Sequence, residues 1–473
     1  EQALKEAAEA AGVDAKSEMY KLPAMYVGSY AEKDAELTLE LFRVLSREIQ
    51  KQNLQNVFDL ETNLFPCLVD MRFNGVRVDV ERAHTLKQKL VAEEEELLLQ
   101  VKKETGIETQ IWAARSIAQV FDKLSLPYSR TLKSNAPSFT KNFLKEHPHP
   151  LVQKIAKARE INKAHTTFID TILKHEHKGR IHADINPIKS DQGGTVTGRF
   201  SYSNPNLQQI PARNKDLGPM IRGLFIPEKD CKWGCFDYSQ QEPRLVVHYA
   251  ATTEPICFND SVTKIVEKFK HDSVDFHQTV ADMANISRSQ AKTINLGLFY
   301  GMGKAKLQAE LGLNTKQEAE DLFDQYHDKV PFVRELMNRT SSFAQTSGSI
   351  GTLLGRKCRF DKWEPATFGM HTPMTLEEAE RTYGRGRIRR AFTYKALNKL
   401  IQGSAADMTK KAMLDLYREG IIPHIQIHDE LDLSVESPER AKKIIEIMEN
   451  AVTLKVPNKV DYESGETWGD IYD

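Results

Sequence analysis

The sequence predicts an α+β protein of several lobes, and three observations carry that expectation. At 473 residues the chain exceeds what one hydrophobic core ordinarily supports. Long stretches with helical spacing, at about 81 to 105, 150 to 175 and 396 to 418, alternate with irregular segments. Near the carboxy end, "IIPHIQIHDELDLSVES" alternates apolar and polar residues on both sides of His428-Asp429-Glu430, as a hairpin does.

In chain order, the first residues "EQALKEAAEAAGVDAKSEMYKL" lack an initiator Met and the layout of a signal peptide, and are expected to be an internal start. Residues 31 to 52 have helical spacing, and "FNGVRVDVE" reads as a turn and a short strand. "SRTLKSNAPSFT" is polar and broken by Pro137, which predicts a loop, and residues 191 to 213 predict an ordered loop region rich in Gly, Ser, Asn and Pro. "CFDYSQQEPRLVVHYA" runs from an apolar strand through Asp237 into an amphipathic helix. Residues 287 to 302 and 314 to 345 read as helix, and 355 to 387 as irregular and basic.

Composition narrows the class. Hydrophobic residues at 40% and charged residues at 28% fit a soluble protein, and no apolar run approaches the ~20 residues that cross a bilayer. The five cysteines form no CxxC pair, so reduced thiols in a cytoplasmic setting are expected. Lys plus Arg (65) nearly cancels Asp plus Glu (66), so distribution carries more information than net charge. Ile286 to Lys306 holds Arg288, Lys292, Lys304 and Lys306 and no acid.

Two constellations carry chemistry. Asp429 and Glu430 fall at or near the hairpin turn, and Asp237 ends the strand "WGCF". A turn carries Asp for local reasons, but two strand-end carboxylates on adjacent strands also suit Mg²⁺, which prefers sparse carboxylate sites completed by substrate phosphates. Two such ions clamp an in-line phosphoryl displacement. In "RSQAKTINLGLFYGMGKAK", Arg288, Lys292, Leu296 and Tyr300 recur every four residues on one helix face. Two cations, an apolar residue and an aromatic there suit a triphosphate, a sugar and a base. His277 in "DFHQTV" could add a phosphate donor, although a lone His is more often a surface or capping residue.

These stretches resemble the signatures of the family A DNA polymerases, the DNA polymerase I family. "DYSQQEPR" is similar to motif A, "RSQAKTINLGLFYG" to motif B and "IHDE" to motif C, with "TGRFSYSNPNLQQIP" and "NKLIQGSAADMTKKAM" matching two further signatures in order. The resemblance implies a right-hand architecture with an antiparallel palm sheet, helical fingers and a helical thumb. It implies Asp237 and Asp429 as ligands of two Mg²⁺ ions, replaceable by Mn²⁺, with Glu430 a helper carboxylate. Lys292 becomes the candidate proton donor to pyrophosphate. Arg288 and His277 would hold the outer phosphates, Tyr300 would place the templating base, and Leu296 and Gln240 would meet the nucleotide. Arg199, Gln208, Arg244, Asn398, Gln402 and His428 would contact primer-template DNA, largely in the minor groove, where shared acceptors make readout insensitive to sequence.

The same resemblance makes Glu242 the residue that excludes the ribose 2′-OH. Ser239 to Glu242 also fits an S-x-x-E capping box. Pro243 is expected to be the first helical residue, which places Glu242 before the helix in extended backbone with its side chain facing the site. Only about eleven residues separate His277 from Arg288, nearer to phage polymerases than to bacterial ones. "YAEKD", with Asp34, resembles the last signature of the family's 3′-5′ exonuclease, and the earlier acidic signatures are missing from this chain.

The expected division is an exonuclease remnant at 1–55, thumb at 56–190, palm at 191–262 and 396–473, and fingers at 263–395. Primer-template DNA and deoxynucleoside triphosphates are the expected partners of a monomer that accessory replication proteins could assist, with no membrane, in the cytoplasm or that of a viral host. A single-subunit RNA polymerase, which shares the palm and much of motif B, is the nearest alternative, disfavoured by Glu242 and by the exonuclease-like remnant. A catalytically silent DNA-binding protein would require loss of Asp237 or Asp429, and both are present.

Overall fold

The computed structural model describes the chain except residues 1, 132–133, 190–193, 212–213, 254–258, 271–274, 300–303, 368, 370 and 472–473. Ala24–Lys51 (α1) is a 28-residue helix that buries none of its residues and leaves Leu37, Leu41 and Leu45 exposed on one stripe. Gln55–Asn74 (α2) repeats Leu60, Leu64, Cys67, Leu68 and Met71 at helical spacing, and that face enters the largest hydrophobic core. Although the sequence boundary groups α2 with the thumb, it packs along the late helix Ala396–Arg418.

Val80–Thr105 (α3) starts where the Asp79 carboxylate accepts from the Arg82 N–H at 2.9 Å, and it stops at Gly106, whose φ of 75° suits glycine. It packs along Pro150–Lys163 (α4). The far end of this pair forms its own core around Val101, Ile117, Phe121, Val152 and Ile155. The loop expected near 129–140 contains a short hairpin pairing Ser129–Arg130 with Pro137–Ser138. Beyond α4 the helix continues through a π-helical stretch, Ala164–Ile169, into Asp170–His175.

Lys232–Tyr238 (β1) leads into Gln241–Thr252 (α5), Phe276–Ala284 (α6) and Arg288–Phe299 (α7). The helical stretch expected over 314–345 is two helices, Lys316–Lys329 and Pro331–Ser347 (α8), divided at Pro331, which lacks an N–H and is accommodated in a first helical turn. The segment expected to be irregular, 355–387, is more ordered than its composition suggests. Ser349–Gly351 pairs with Lys357–Arg359, Trp363–Pro365 pairs with Ile388–Arg390, and a capping box at Thr375 and Glu378 starts the helix Leu376–Tyr383.

Ala396–Arg418 (α9) matches its sequence expectation and is buried along much of its length. Ile425–Ile427 (β2), Glu430–Val435 (β3), Pro438–Asn450 (α10) and Val460–Gly465 (β4) complete the chain. The antiparallel sheet has the order β2-β3-β1-β4. One face, with Phe236, Tyr238, Leu431 and Leu433, enters the core shared with α5, α9 and α10. Trp233 and Cys235 point the other way, into a second core with Phe225 and Trp468. Among the described residues no helix is long and apolar enough to cross a membrane.

Candidate active site

The pleat puts acids in a row. Asp237 on β1 lies opposite Glu430 on β3 and opposite Asp461 on β4, and residues directly opposed in antiparallel strands share a face. Asp429 stands in the two-residue turn between β2 and β3, and its carbonyl accepts from the Tyr238 N–H at 3.2 Å, which ties the turn to the end of β1. The structure therefore brings Asp237, Asp429 and Glu430 together. The turn itself is strained, for His428 has a φ of 57° at a position where glycine is preferred. Its carbonyl accepts from Gln426 Nε2 at 2.7 Å, and the Gln426 carbonyl accepts from Gln208 Nε2 at 3.2 Å.

Burial first, and then the charges of Asp429, Glu430, Asp461 and Glu463, push the Asp237 carboxyl above its usual range, and its buried Oδ1 has no hydrogen-bond partner. Burial also pushes Asp429 up, with the Arg199 guanidinium opposing the shift. The site thus collects more acids than the nearby Arg199 and Lys459, which sits 3.9 Å from Asp461, can match, and its oxygen donors fit a hard divalent cation. Behind it, Asp432 is fully buried and accepts from Trp233 Nε1 at 2.9 Å. No local sequence pattern singles out Asp432, Glu463 or Asp461.

Glu242 departs from expectation. The helix α5 begins at Gln241, with Gln240 as its N-cap at a left-handed φ of 54°, so Glu242 is the second helical residue and Pro243 the third. The first intrahelical bond runs from the Arg244 N–H to the Gln240 carbonyl at 3.0 Å. Because the earlier N–H groups of a helix have no intrahelical acceptor, proline at the third position forfeits no bond, and it does not mark the start. Ser239 makes no capping box, since the cap lies one residue later. The Glu242 carboxylate accepts from Arg199 Nη2 at 2.7 Å, and both side chains are largely buried.

Beside β1 lies a cavity of about 270 Å³ lined by Ser239, Gln240, Arg244, Asp275, His277, Arg288, Lys459 and Asp461. His277 Nδ1 accepts from Asn295 Nδ2 at 3.0 Å, and Asn295 Oδ1 accepts from the Tyr326 hydroxyl. This chain orients the imidazole, and burial lowers its pKa. Arg288 pairs with Asp275 at 2.6 Å, and Asp275 also caps α6. Gln240 Oε1 accepts from the Phe276 N–H at 2.7 Å. Arg244, expected at DNA, is instead 6% exposed and donates to the Ser239 and Pro457 carbonyls, bracing the turn after β1. Lys292 is exposed on α7, one turn from Arg288. The Leu296 side chain and Tyr300 lie outside the described residues.

Asn398 and Gln402 are half-buried and one turn apart on α9, and Asn398 Nδ2 is enclosed without a hydrogen-bond partner. His428 is exposed at the turn. Lys459 and Asp461 at the cavity, and Gln426 behind the turn, are additions from structure alone.

A helix-rich α+β fold whose sheet gathers carboxylates beside a cation-lined cavity is the architecture of a template-copying polymerase. Residues 80–470 match the model of DNA polymerase family A, and the chain belongs to that family: it is a DNA-directed DNA polymerase. A DNA-directed DNA polymerase of Pseudomonas phage M6 is 34% identical over 98% of this chain and 74% of its own length. DNA polymerase I of Geobacillus stearothermophilus is 33% identical over 87% of this chain and 46% of its own. Among solved structures, the POL domain of Pol1 from M. smegmatis, in complex with DNA primer-template and dNTP, superposes with a TM-score of 0.73 at 25% identity, over 92% of this chain and 75% of that one.

Proposed function

We propose that the chain extends a DNA primer by attack of its 3′-OH on the α-phosphorus of a deoxynucleoside triphosphate, with pyrophosphate leaving. The observation that carries this reading is the pairing of Asp237 and Asp429 at adjacent strand ends, both with raised carboxyl pKa and one with an unpartnered buried oxygen. These two carboxylates would hold two Mg²⁺ ions, for which Mn²⁺ could substitute. Bound ions would stabilise the charge that develops on the entering and leaving oxygens.

The remaining roles fall to side chains around the cavity. Arg288 and His277 meet the outer phosphates, and Arg288 exchanges its Asp275 partner for phosphate when the nucleotide enters. Lys292 supplies a proton to the departing pyrophosphate. Glu242, held by Arg199, limits space at the sugar C2′, and Leu296, Tyr300 and Gln240 meet the rest of the nucleotide. Gln208, Asn398, Gln402 and His428 lie along the primer-template. The division is palm at 191–262 and 396–473, fingers at 263–395, thumb at 56–190, of which α2 packs instead against the palm helix α9, and an exonuclease-like segment at 1–55. Asp34 is a single carboxylate and cannot by itself hold the two metal ions of an exonuclease site, so residues 1–55 alone would not proofread.

Primer extension with Mg²⁺ tests the reading. Asp237→Ala and Asp429→Ala are each expected to lose extension while keeping primer-template affinity, which rests on many phosphate contacts. More than a small residual rate in either variant overturns the metal assignment.

A further inference from the structure

Away from the carboxylate row, four charged side chains from three distant segments meet inside the protein. Lys410 on α9 is 1% exposed and donates to both Glu61 oxygens, at 2.7 and 3.0 Å. Arg356, in the turn after Ser349–Gly351, spans two acids. Its Nε donates to Asp407 at 2.9 Å and its Nη2 to Glu61. Asp407 is wholly buried and also accepts from the Thr352 hydroxyl and the Leu354 N–H. Hydrophobic replacements of buried ion pairs are often as stable as the pairs, so stability alone gives little reason for such a quartet. Its placement suggests a geometric task.

The quartet grips the backbone on either side of Arg199. On one side, Gly198 has a φ of 86°, and a Cβ there would lie 2.7 Å from Arg356 Nε, so the guanidinium rests against the bare glycine. On the other side, Lys410 Nζ sits 4.5 Å from the centre of the Phe200 ring. Between them the Arg199 carbonyl accepts from Thr195 Oγ1 at 2.7 Å. Gly403 of α9 closes the fourth side, where a Cβ would meet Thr352 at 2.6 Å and the Thr197 carbonyl at 3.4 Å. The side chain positioned in this way is the one that reaches Glu242 at 2.7 Å.

We propose that Glu61, Arg356, Asp407 and Lys410 form a positioning network that sets the place of Arg199 and, through it, of the Glu242 carboxylate, so that Arg356 helps determine discrimination between deoxy- and ribonucleotides. This rests on the reading of Glu242 as the residue beside the sugar. Arg356 is the member to perturb, because a lysine amine cannot bridge two carboxylates as the guanidinium fork does.

The experiment measures the ratio of specificity constants for ribo- and deoxynucleotide incorporation in Arg356→Lys, in Gly198→Ala, and in each combined with Glu242→Ala. Taken within one preparation, the ratio does not depend on the fraction of folded enzyme. If Arg356→Lys does not fold, Gly198→Ala, which keeps all four charges, carries the test. Each single variant is expected to raise the ratio on the order of tenfold, the effect of loosening a hydrogen bond to a charged group, and to add nothing once Glu242 is alanine. Unchanged ratios in both single variants, with Glu242→Ala raised, overturn the positioning role while sparing the sugar reading. Equal increments with and without Glu242 also overturn it, since they place the effect on another route. If Glu242→Ala itself leaves the ratio unchanged, the sugar reading fails and the proposal falls with it.

Discussion

His424 should make the palm sheet sensitive to acid. It immediately precedes β2, the strand that leads to Asp429, and its Nε2 lies 2.6 Å from the Ser434 hydroxyl, with the ring 5.8 Å from that of Trp233. Burial is the first cause that brings its pKa down to about 4, with Arg180 adding to the effect and Glu228 opposing it. A histidine whose folded pKa lies below its unfolded value binds more protons when unfolded, so stability is full above about pH 6.5 and is lost as pH falls toward 4. Between pH 7.5 and pH 5 this group alone should cost the fold about 2 kcal/mol. For a cooperative unit of roughly 200 residues that is about 4–8 °C in melting temperature. The assay is thermal unfolding of the wild type and of His424→Asn at both pH values. Asparagine can still bond Ser434 but cannot titrate, so its acid-induced drop should be smaller by that margin. His327, also brought down to about 4 by burial, contributes equally to both proteins and cancels in the difference. Parallel drops in the two proteins would refute the assignment, and with it the idea that protonation at the base of the β2–β3 hairpin loosens the turn carrying Asp429.

Three further outcomes are expected. Glu242→Ala should raise ribonucleotide incorporation relative to deoxynucleotide and should also lower the melting temperature, because it strands the largely buried Arg199 guanidinium; a ratio equal to wild type would return Glu242 to a purely structural role. Incubating the chain with a mismatched, end-labelled primer and Mg²⁺ or Mn²⁺, without nucleotides, should leave the primer intact, and metal-dependent shortening by purified protein would contradict the remnant reading of residues 1–55. Leu296 follows Lys292 by one turn of α7, and leucine offers the sugar no hydrogen bond, so Leu296→Tyr should improve dideoxynucleotide incorporation by roughly ten- to a hundredfold relative to deoxynucleotide. Equal ratios of specificity constants in the two proteins would place Leu296 away from the sugar.

The parts legible in the sequence are those whose cause is local. Periodicity located α3 and α9, and alternation located the hairpin with its turn at Asp429. The strand β4, "VDYESG", has too few apolar residues to stand out, so no local pattern marks Asp461, which sits opposite Asp237, or Lys459 beside it. Asp432 in "ELDLSV" occupies what alternation reads as a polar outward position, whereas that face is covered by the second core and the residue is fully buried. The start of α5 is not legible in the sequence because proline is compatible with several positions in a first turn, and only the bond from Arg244 to Gln240 identifies which one it holds. Contacts such as Arg199 with Glu242, or Lys410 with Glu61, join segments far apart in sequence, and no local pattern encodes them.

What these nonlocal features share is local cost. Carboxylates placed opposite one another on three neighbouring strands repel, a histidine takes a glycine's backbone conformation at the turn, and two charges, on Asp407 and Lys410, are buried with the partly buried Arg356 and Glu61 as their partners. A sequence optimised for stability alone would place β-branched residues in the carboxylate row and glycine at His428. The departures instead concentrate around Asp237, Asp429 and the Arg199–Glu242 pair, while the opposite face of the sheet follows ordinary apolar packing against α5, α9 and α10. That face anchors the sheet firmly enough for the other to keep several acids close together, and their mutual repulsion is what a bound cation would relieve.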